Sequence, residues 1–190
     1  MDTTLTLFFN HMGQPWLDPV VLCLTRPWAW LPVYILILVV LIRQMRTGEA
    51  KPVTWILRLL VVLFGVAVCI LIADQVSSHI CKPFFHRLRP THEPSLAGIV
   101  RIVGDYRGGL YGFFSSHAAN TCAVAVYFAR IIRRRWISIV LALYVIVNCW
   151  TRLYLGVHYV SDILAGLVFG ALTGYVISLL VRKYHFFSHA

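Results

Sequence analysis

A chain of 190 residues of which 59% are hydrophobic and 13% charged, with a mean hydropathy of +0.77, is too apolar to be a water-soluble domain of that length. Its charge is one-sided, 17 Lys and Arg against 7 Asp and Glu for a formal net charge of +10, which fits anionic headgroups or an anionic ligand. The composition therefore predicts an all-α, polytopic membrane helix bundle whose surroundings are the bilayer, with no nucleic acid partner expected.

Residues 1–21 interleave Leu5, Leu7, Phe8, Phe9, Trp16 and Leu17 with Asn10, His11, Gln14, Pro15, Asp18 and Pro19, a pattern expected of an interfacial amphipathic helix. The segment lacks the basic start, continuous apolar run and small-residue cleavage site of a signal peptide, so it is kept as mature chain. About twenty apolar residues are needed to cross the hydrocarbon. Five such runs follow, at 28–42 (extended backward through Leu22), 55–80, 111–132, 136–153 and 160–181. The prediction is about five transmembrane helices plus the N-terminal interfacial helix, six helices in a single domain over 1–190, without internal repeats. The loop at 82–110 is the longest piece outside the membrane. Phe84, Phe85, Leu88, Leu96, Ile99, Val100, Ile102 and Val103 make it too apolar for disorder, so it should pack on the bundle or lie in the interface as a lid. Cys23, Cys69, Cys81, Cys122 and Cys149 are odd in number, have no metal-like spacing and read as packing residues.

Basic residues mark the cytoplasmic side. Arg43, Arg46, Lys51 and Arg58, then Arg130, Arg133, Arg134 and Arg135, then Arg182 and Lys183 fall on one side of a five-span arrangement. The opposite, outer side holds Arg26, Lys82, Arg87, Arg89, Arg101, Arg107 and Arg152, with only Glu93 and Asp105 as acids in its long loop. Such a collection of outward cations points to an anionic ligand.

Three polar clusters share that outer side: "KPFFHRLRP" with Lys82 and Arg89, "SSH" with Ser115, Ser116 and His117, and "TRLYLGVHYVSD" with Arg152, His158 and Asp162. Taken singly, they are snorkelling cations, a helix cap and a structural histidine. Their convergence favours chemistry. His158 and Asp162 are four apart and share a helical face, where the carboxylate fixes the imidazole tautomer and leaves the other nitrogen as a nucleophile. Lys82, Arg89 and Arg152 supply cations for a phosphoryl transition state, and the amides near Ser116 and His117 add oriented N–H groups at a helix N-terminus. His117 remains as the proton donor.

With these residues in place, the chain resembles the phosphatidic acid phosphatase type 2 (PAP2) superfamily, whose pattern reads K-x6-R-P, P-S-G-H and S-R-x5-H-x3-D. Lys82, Arg89 and Pro90 match the first motif. In the second, Phe114 stands for proline, Ser115 matches and Ser116 stands for glycine. In the third, Arg152, His158 and Asp162 match and Thr151 stands for serine. The resemblance implies a metal-independent phosphatase with no cofactor, a phosphohistidine at His158, an acid at His117, an orienting Asp162, and a phosphate grip from Lys82, Arg89, Ser115, Ser116 and Arg152. The superfamily also includes soluble vanadium haloperoxidases, but five spans favour its lipid phosphatases. The expected partner is a phosphorylated membrane lipid, and the expected place is a bacterial inner membrane with the site facing the periplasm or exterior. Undecaprenyl diphosphate is the first expectation for the substrate and lipid A the second, with phosphatidylglycerol phosphate and phosphatidic acid also open. A metal-dependent hydrolase using His117, His158 and Asp162 as ligands is disfavoured by the adjacent cations. An anionic-lipid transporter would also want a basic cavity, and Asp74 inside the second span is the kind of buried charge it would use, but transport needs no His–Asp pair. Asp74 is read as structural. Gly166, Gly170 and Gly174 form a small-residue repeat in the last span; the first two are expected inside the bundle, with Gly174 turned away.

Overall fold

The computed structural model of the protein describes residues 1–46 and 52–183, which leaves the expected cytoplasmic Lys51 outside the described residues. These residues form α1 (Asp2–His11), α2 (Asp18–Leu24), α3 (Leu31–Arg46), α4 (Pro52–Gln75), α5 (Lys82–Phe85), α6 (Ser116–Ile132), α7 (Arg135–Tyr154) and α8 (Val160–Lys183). Among the described residues, four helical runs are long and apolar enough to cross a membrane: Pro27–Arg46, Val53–Phe85, Arg135–Tyr154 and Val160–Lys183.

The expected third span behaves differently. Tyr111 to Ser115 is not helical, and α6 has 17 residues, or about 26 Å at 1.5 Å per residue. It starts with Ser116, His117, Asn120 and Thr121 and packs most extensively on α8, then on α7 and α4. Neighbouring helices shield it, so it is the bundle's inner helix and has no need of a fully apolar surface.

The contact of α6 with α8 explains the glycine repeat and corrects its reading. A Cβ on Gly166 would lie 2.7 Å from the Ser115 carbonyl oxygen, one on Gly170 2.3 Å from that of Ala119, and one on Gly174 2.2 Å from that of Ala123. All three glycines face α6. Counting turns on an isolated helix rotates Gly174 away, but the i+4 ridge of α8 runs along the matching four-residue ridge of α6, and two inclined ridges stay in contact as the helices cross.

Near the N-terminus, two short helices replace the single interfacial helix, because Gly13 and Pro15 fall in the turn between them. They are also anchored to protein. Asn10 donates to the carbonyls of Tyr154 (2.8 Å) and Arg101 (3.0 Å) and accepts from the Arg101 amide (2.8 Å), while Tyr154 donates to Asp18 at 2.6 Å. Leu5, Phe8 and Trp16 remain exposed, as an interfacial position requires. The first span begins at Pro27, not Leu22, since the helix stops at Leu24 before the proline. The loop at 82–110 packs on the bundle: Leu96 and Val100 bury against Tyr159, and Val103 against Val21, Tyr154, Leu155 and Val157. All five cysteines are free, with Cys69 and Cys149 buried.

These connections gather the C-terminal ends of α4 and α7, the N-terminal ends of α6 and α8, and the loop at 86–115 at one end of the bundle. Arg43, Arg46, Arg58, Arg130, Arg133, Arg134, Arg135, Arg182 and Lys183 lie toward the other.

Candidate active site

Between α4 and α5 the chain makes a π-helical turn, Val76–Cys81. Such turns are frequent at functional sites because the wider winding changes which side chains share a face. Here it brings three residues to one atom. Ser116 Oγ receives Lys82 Nζ at 2.6 Å and lies 2.8 Å from Ser77 Oγ and 3.5 Å from Ser78 Oγ. Ser77 also donates to the Phe114 carbonyl at 2.8 Å, which ties the α4 end to the start of α6. Asp74 sits one turn below, within reach of Ser78 at 3.5 Å.

Arg89 enters from the loop. Its Nε donates to the Tyr111 carbonyl at 3.1 Å, and its amide donates to the Leu110 carbonyl at 3.1 Å. Gly108 is required beside it: with φ at +68°, a Cβ there would meet the Arg89 guanidinium at 2.3 Å. Gly112 leaves similar room, its added Cβ lying 3.2 Å from Arg89 Cγ and 3.1 Å from Asp162 Oδ2.

His158 lies in the tight connection between α7 and α8 and is 2% exposed, with Asp162 fully buried behind it. Nδ1 of His158 is 3.6 Å from Asp162 Oδ2, longer than a hydrogen bond, and makes none elsewhere. An N–H placed at Nδ1 to face the carboxylate leaves Nε2 with the free lone pair. Burial, with Arg89 and Arg152 nearby, pushes the His158 imidazole down to about 4 against the opposing pull of Asp162, so it is neutral at physiological pH. Neutrality is what a nitrogen nucleophile needs.

Lys82, Arg89, Ser116, His117 and His158 line one cavity of about 740 Å³. It continues past Asp74, Asn120 and Thr121 between α3, α4, α6 and α7 as far as Phe128. From His117 to Phe128 the α6 axis runs roughly 16 Å, and beyond the polar mouth Ile37, Leu38, Leu41, Leu63, Val66 and Val124 dominate the walls.

Three expected site residues stand behind that surface. Ser115 Oγ caps α6, accepting from the Ala118 amide at 3.4 Å, and its own amide donates to the Asp162 carbonyl at 3.1 Å. Arg152 is 1% exposed and is held through Nε and Nη2, each 3.2 Å from Thr151 Oγ1, and through Nη1, 3.5 Å from the Tyr106 hydroxyl. Thr151 therefore supplies the hydroxyl that the superfamily pattern places there as serine. Asp162 accepts from the Tyr159 amide at 3.0 Å and from Arg87 Nη1 at 2.7 Å. Ser77, outside the three motifs, and Arg87, at one of the unspecified positions of the first, are further site neighbours; Asp74 and Lys82, whose helical faces the π turn realigns, are the sequence pointers to Ser77. Among the described residues, no three His, Cys, Asp or Glu side chains are grouped to hold a metal ion.

A cationic mouth that continues into apolar space between membrane helices defines a class: integral-membrane phosphatases whose substrate is a lipid. Known proteins agree. The model of the PAP2 superfamily matches residues 55–186, and the chain belongs to that superfamily. It is 36% identical over 184 residues to a lipid A 4'-phosphatase of Bacteroides thetaiotaomicron, covering 96% of this chain and 78% of that one. It is 33% identical over 177 residues to a lipid A 4'-phosphatase of Porphyromonas gingivalis, covering 93% and 71%. Its fold is similar to the crystal structure of a transmembrane PAP2 type phosphatidylglycerolphosphate phosphatase from Bacillus subtilis, with a TM-score of 0.63 at 21% identity over 96% of this chain and 85% of that one. The protein is a membrane lipid phosphatase.

Proposed function

We propose that this phosphatase removes a phosphate monoester from lipid A, an acylated and phosphorylated glucosamine disaccharide, through a phosphohistidine at His158. The observation that carries the reading is the meeting of His158 and His117 with Lys82, Arg89 and Ser116 at the polar mouth of a cavity whose depth is apolar. Substrate choice rests on the relatives named lipid A 4'-phosphatase, which align along nearly the whole chain. They favour lipid A over undecaprenyl diphosphate, the first expectation from the sequence.

In the first step Nε2 of His158 attacks phosphorus. The bond from phosphorus to the sugar oxygen breaks, and His117, which enters the step as imidazolium once the bound phosphate's negative charge offsets Lys82, Arg89 and Arg152, gives that oxygen its proton. Lys82 and Arg89, with the first amides of α6, take up the charge on the equatorial oxygens. Arg152 adds a fixed positive potential from behind, and Ser115 holds the helix start in place. In the second step water attacks the phosphohistidine, His117 takes the water's proton, and phosphate leaves with His158 neutral again. The acyl chains occupy the cavity below. No residue in this cycle calls for a metal or a cofactor. The basic end of the bundle faces the cytoplasm of a bacterial inner membrane, and the site faces the periplasm.

Phosphate release by the purified protein in detergent with EDTA, measured on lipid A, undecaprenyl diphosphate and phosphatidylglycerol phosphate, tests this reading. Lipid A should turn over fastest, mass spectrometry should locate the lost phosphate, and His158→Ala should abolish release. Faster hydrolysis of undecaprenyl diphosphate would refute the substrate assignment.

A further inference from the structure

Asp162 is fully buried and paired with Arg87, and its partners determine where its oxygens point. Oδ1 accepts from Arg87 Nη1 at 2.7 Å, while Oδ2 accepts from the Tyr159 amide at 3.0 Å and faces His158 Nδ1 at 3.6 Å. Arg87 is itself fixed on several sides. Nη1 also donates to Ser161 Oγ at 2.7 Å, Nη2 donates to Asp2 Oδ2 at 2.7 Å, and the guanidinium carbon lies 4.1 Å from the centre of the Tyr159 ring. Asp2 closes the arrangement by accepting from the Ser161 amide at 3.0 Å and from the Ser161 hydroxyl.

The charges thus alternate from Asp2 through Arg87 to Asp162, which faces the neutral imidazole of His158. They join α1, the loop after α5, and α8, segments separated by up to 159 positions. Arg87 is not a wall of the cavity that Lys82 and Arg89 line, so its charge is directed at the carboxylate and away from the phosphate. Its planar fork holds two carboxylates at once, which an ammonium does less well. Although burial pushes the Asp2 carboxyl up, hydrogen bonds from Ser161 and Arg87 hold it below the usual carboxylate range, so the outer member of the chain is ionised at neutral pH.

We propose that Arg87 and Asp2 are positioning residues for catalysis: the N-terminal helix, through Asp2, clamps Arg87, and Arg87 fixes the rotation of the Asp162 carboxylate against the nucleophilic His158. Their effect on turnover runs through Asp162, and neither touches the substrate. The inference rests on the roles of His158 and Asp162 proposed above.

The experiment compares Arg87→Gln, Arg87→Lys and Asp2→Asn with the parent in detergent, each normalised to folded protein, with kcat and KM measured separately on the same lipid A substrate. Arg87→Gln should lower kcat by about 10-fold to 100-fold, the scale known for outer partners of metal-ligating histidines, with KM nearly unchanged. Arg87→Lys should recover part of that loss. Asp2→Asn should lower kcat by a smaller factor while the thermal midpoint stays near the parent's. Unchanged kcat per folded molecule in Arg87→Gln and Asp2→Asn would overturn the proposal, as would a loss confined to folded yield. His158→Ala is run alongside. If it retains turnover, the site assignment itself fails; if it is inactive while Arg87→Gln equals the parent, only the positioning role fails.

Discussion

Replacing Gly170 by alanine is the most demanding test of how the bundle sets the site. The added Cβ would lie 2.3 Å from the Ala119 carbonyl oxygen and 3.0 Å from its carbon, where ordinary contact begins at 3.4 Å. The obstacle is backbone on a helix and cannot rotate aside. α6 and α8 must part by about 1 Å, and overpacking of this kind costs about 1–3 kcal/mol. The upper part of that range applies because the obstacle is backbone, and alanine's better helix propensity returns up to about 1 kcal/mol, so the net loss should be about 1–2 kcal/mol. Because α8 carries Asp162 and α6 carries His117, the same displacement should lower turnover, and a misplacement of about 1 Å is enough for roughly 100-fold. Reversible unfolding in mixed detergent gives the first quantity and phosphate release the second. Gly174→Ala, whose Cβ would meet the Ala123 carbonyl oxygen at 2.2 Å, should destabilise to a similar degree and lose less activity, since it lies farther along α8 from Asp162. Stability of Gly170→Ala within about 0.5 kcal/mol of the parent, with full turnover, would refute the close helix contact.

Three further outcomes are expected. The acid limb of kcat/KM should lie near pH 4 and not near 6.5, because burial of His158 and the nearby arginines keep it neutral down to about 4. The matching contribution to folding is present above 6.5 and is lost as pH falls from 6.5 through 4; an enzyme limb at 6.5, in a profile corrected for the substrate phosphate's own second ionisation at about 6, would contradict the buried environment. Ser116→Gly, which restores the superfamily's usual residue, should lower turnover by less than about tenfold, the worth of one hydrogen bond, because phosphate replaces the hydroxyl as the partner of Lys82. Val124→Trp fills the apolar part of the cavity and should raise KM for an acylated substrate far more than for a short water-soluble phosphate ester, a ratio read from parallel kinetics.

The main parts of the site were legible because the chemistry lies in short stretches whose spacing survives folding. Lys82 and Arg89 seven apart, and His158 and Asp162 four apart, can be placed from the chain alone. Arg87 sits within the first motif, but its role depends on Asp2 and Ser161, which only the tertiary fold brings near, so no spacing signals it. Ser77 depends on the π turn, a local change of winding that a regular period of 3.6 does not anticipate. Ser115 and Arg152 were expected to grip phosphate, and their lack of cavity surface follows from how α6 and α7 end. Gly174 was misplaced because one helix's rotation was counted without the inclination of its partner. The substrate was ambiguous for a chemical reason: the three motifs address phosphate, which every expected lipid carries, whereas the apolar walls of the cavity come from α3, α4, α6 and α7 together.

The central claim is that His158 carries the phosphoryl group between the two steps. It is tested most directly by rapid alkaline quenching of the enzyme during turnover of a radiolabelled phosphate substrate, followed by peptide mapping. The account predicts an acid-labile label on the peptide containing His158 and none in His158→Ala. Label on another residue, or turnover by His158→Ala without any labelled enzyme, would contradict it.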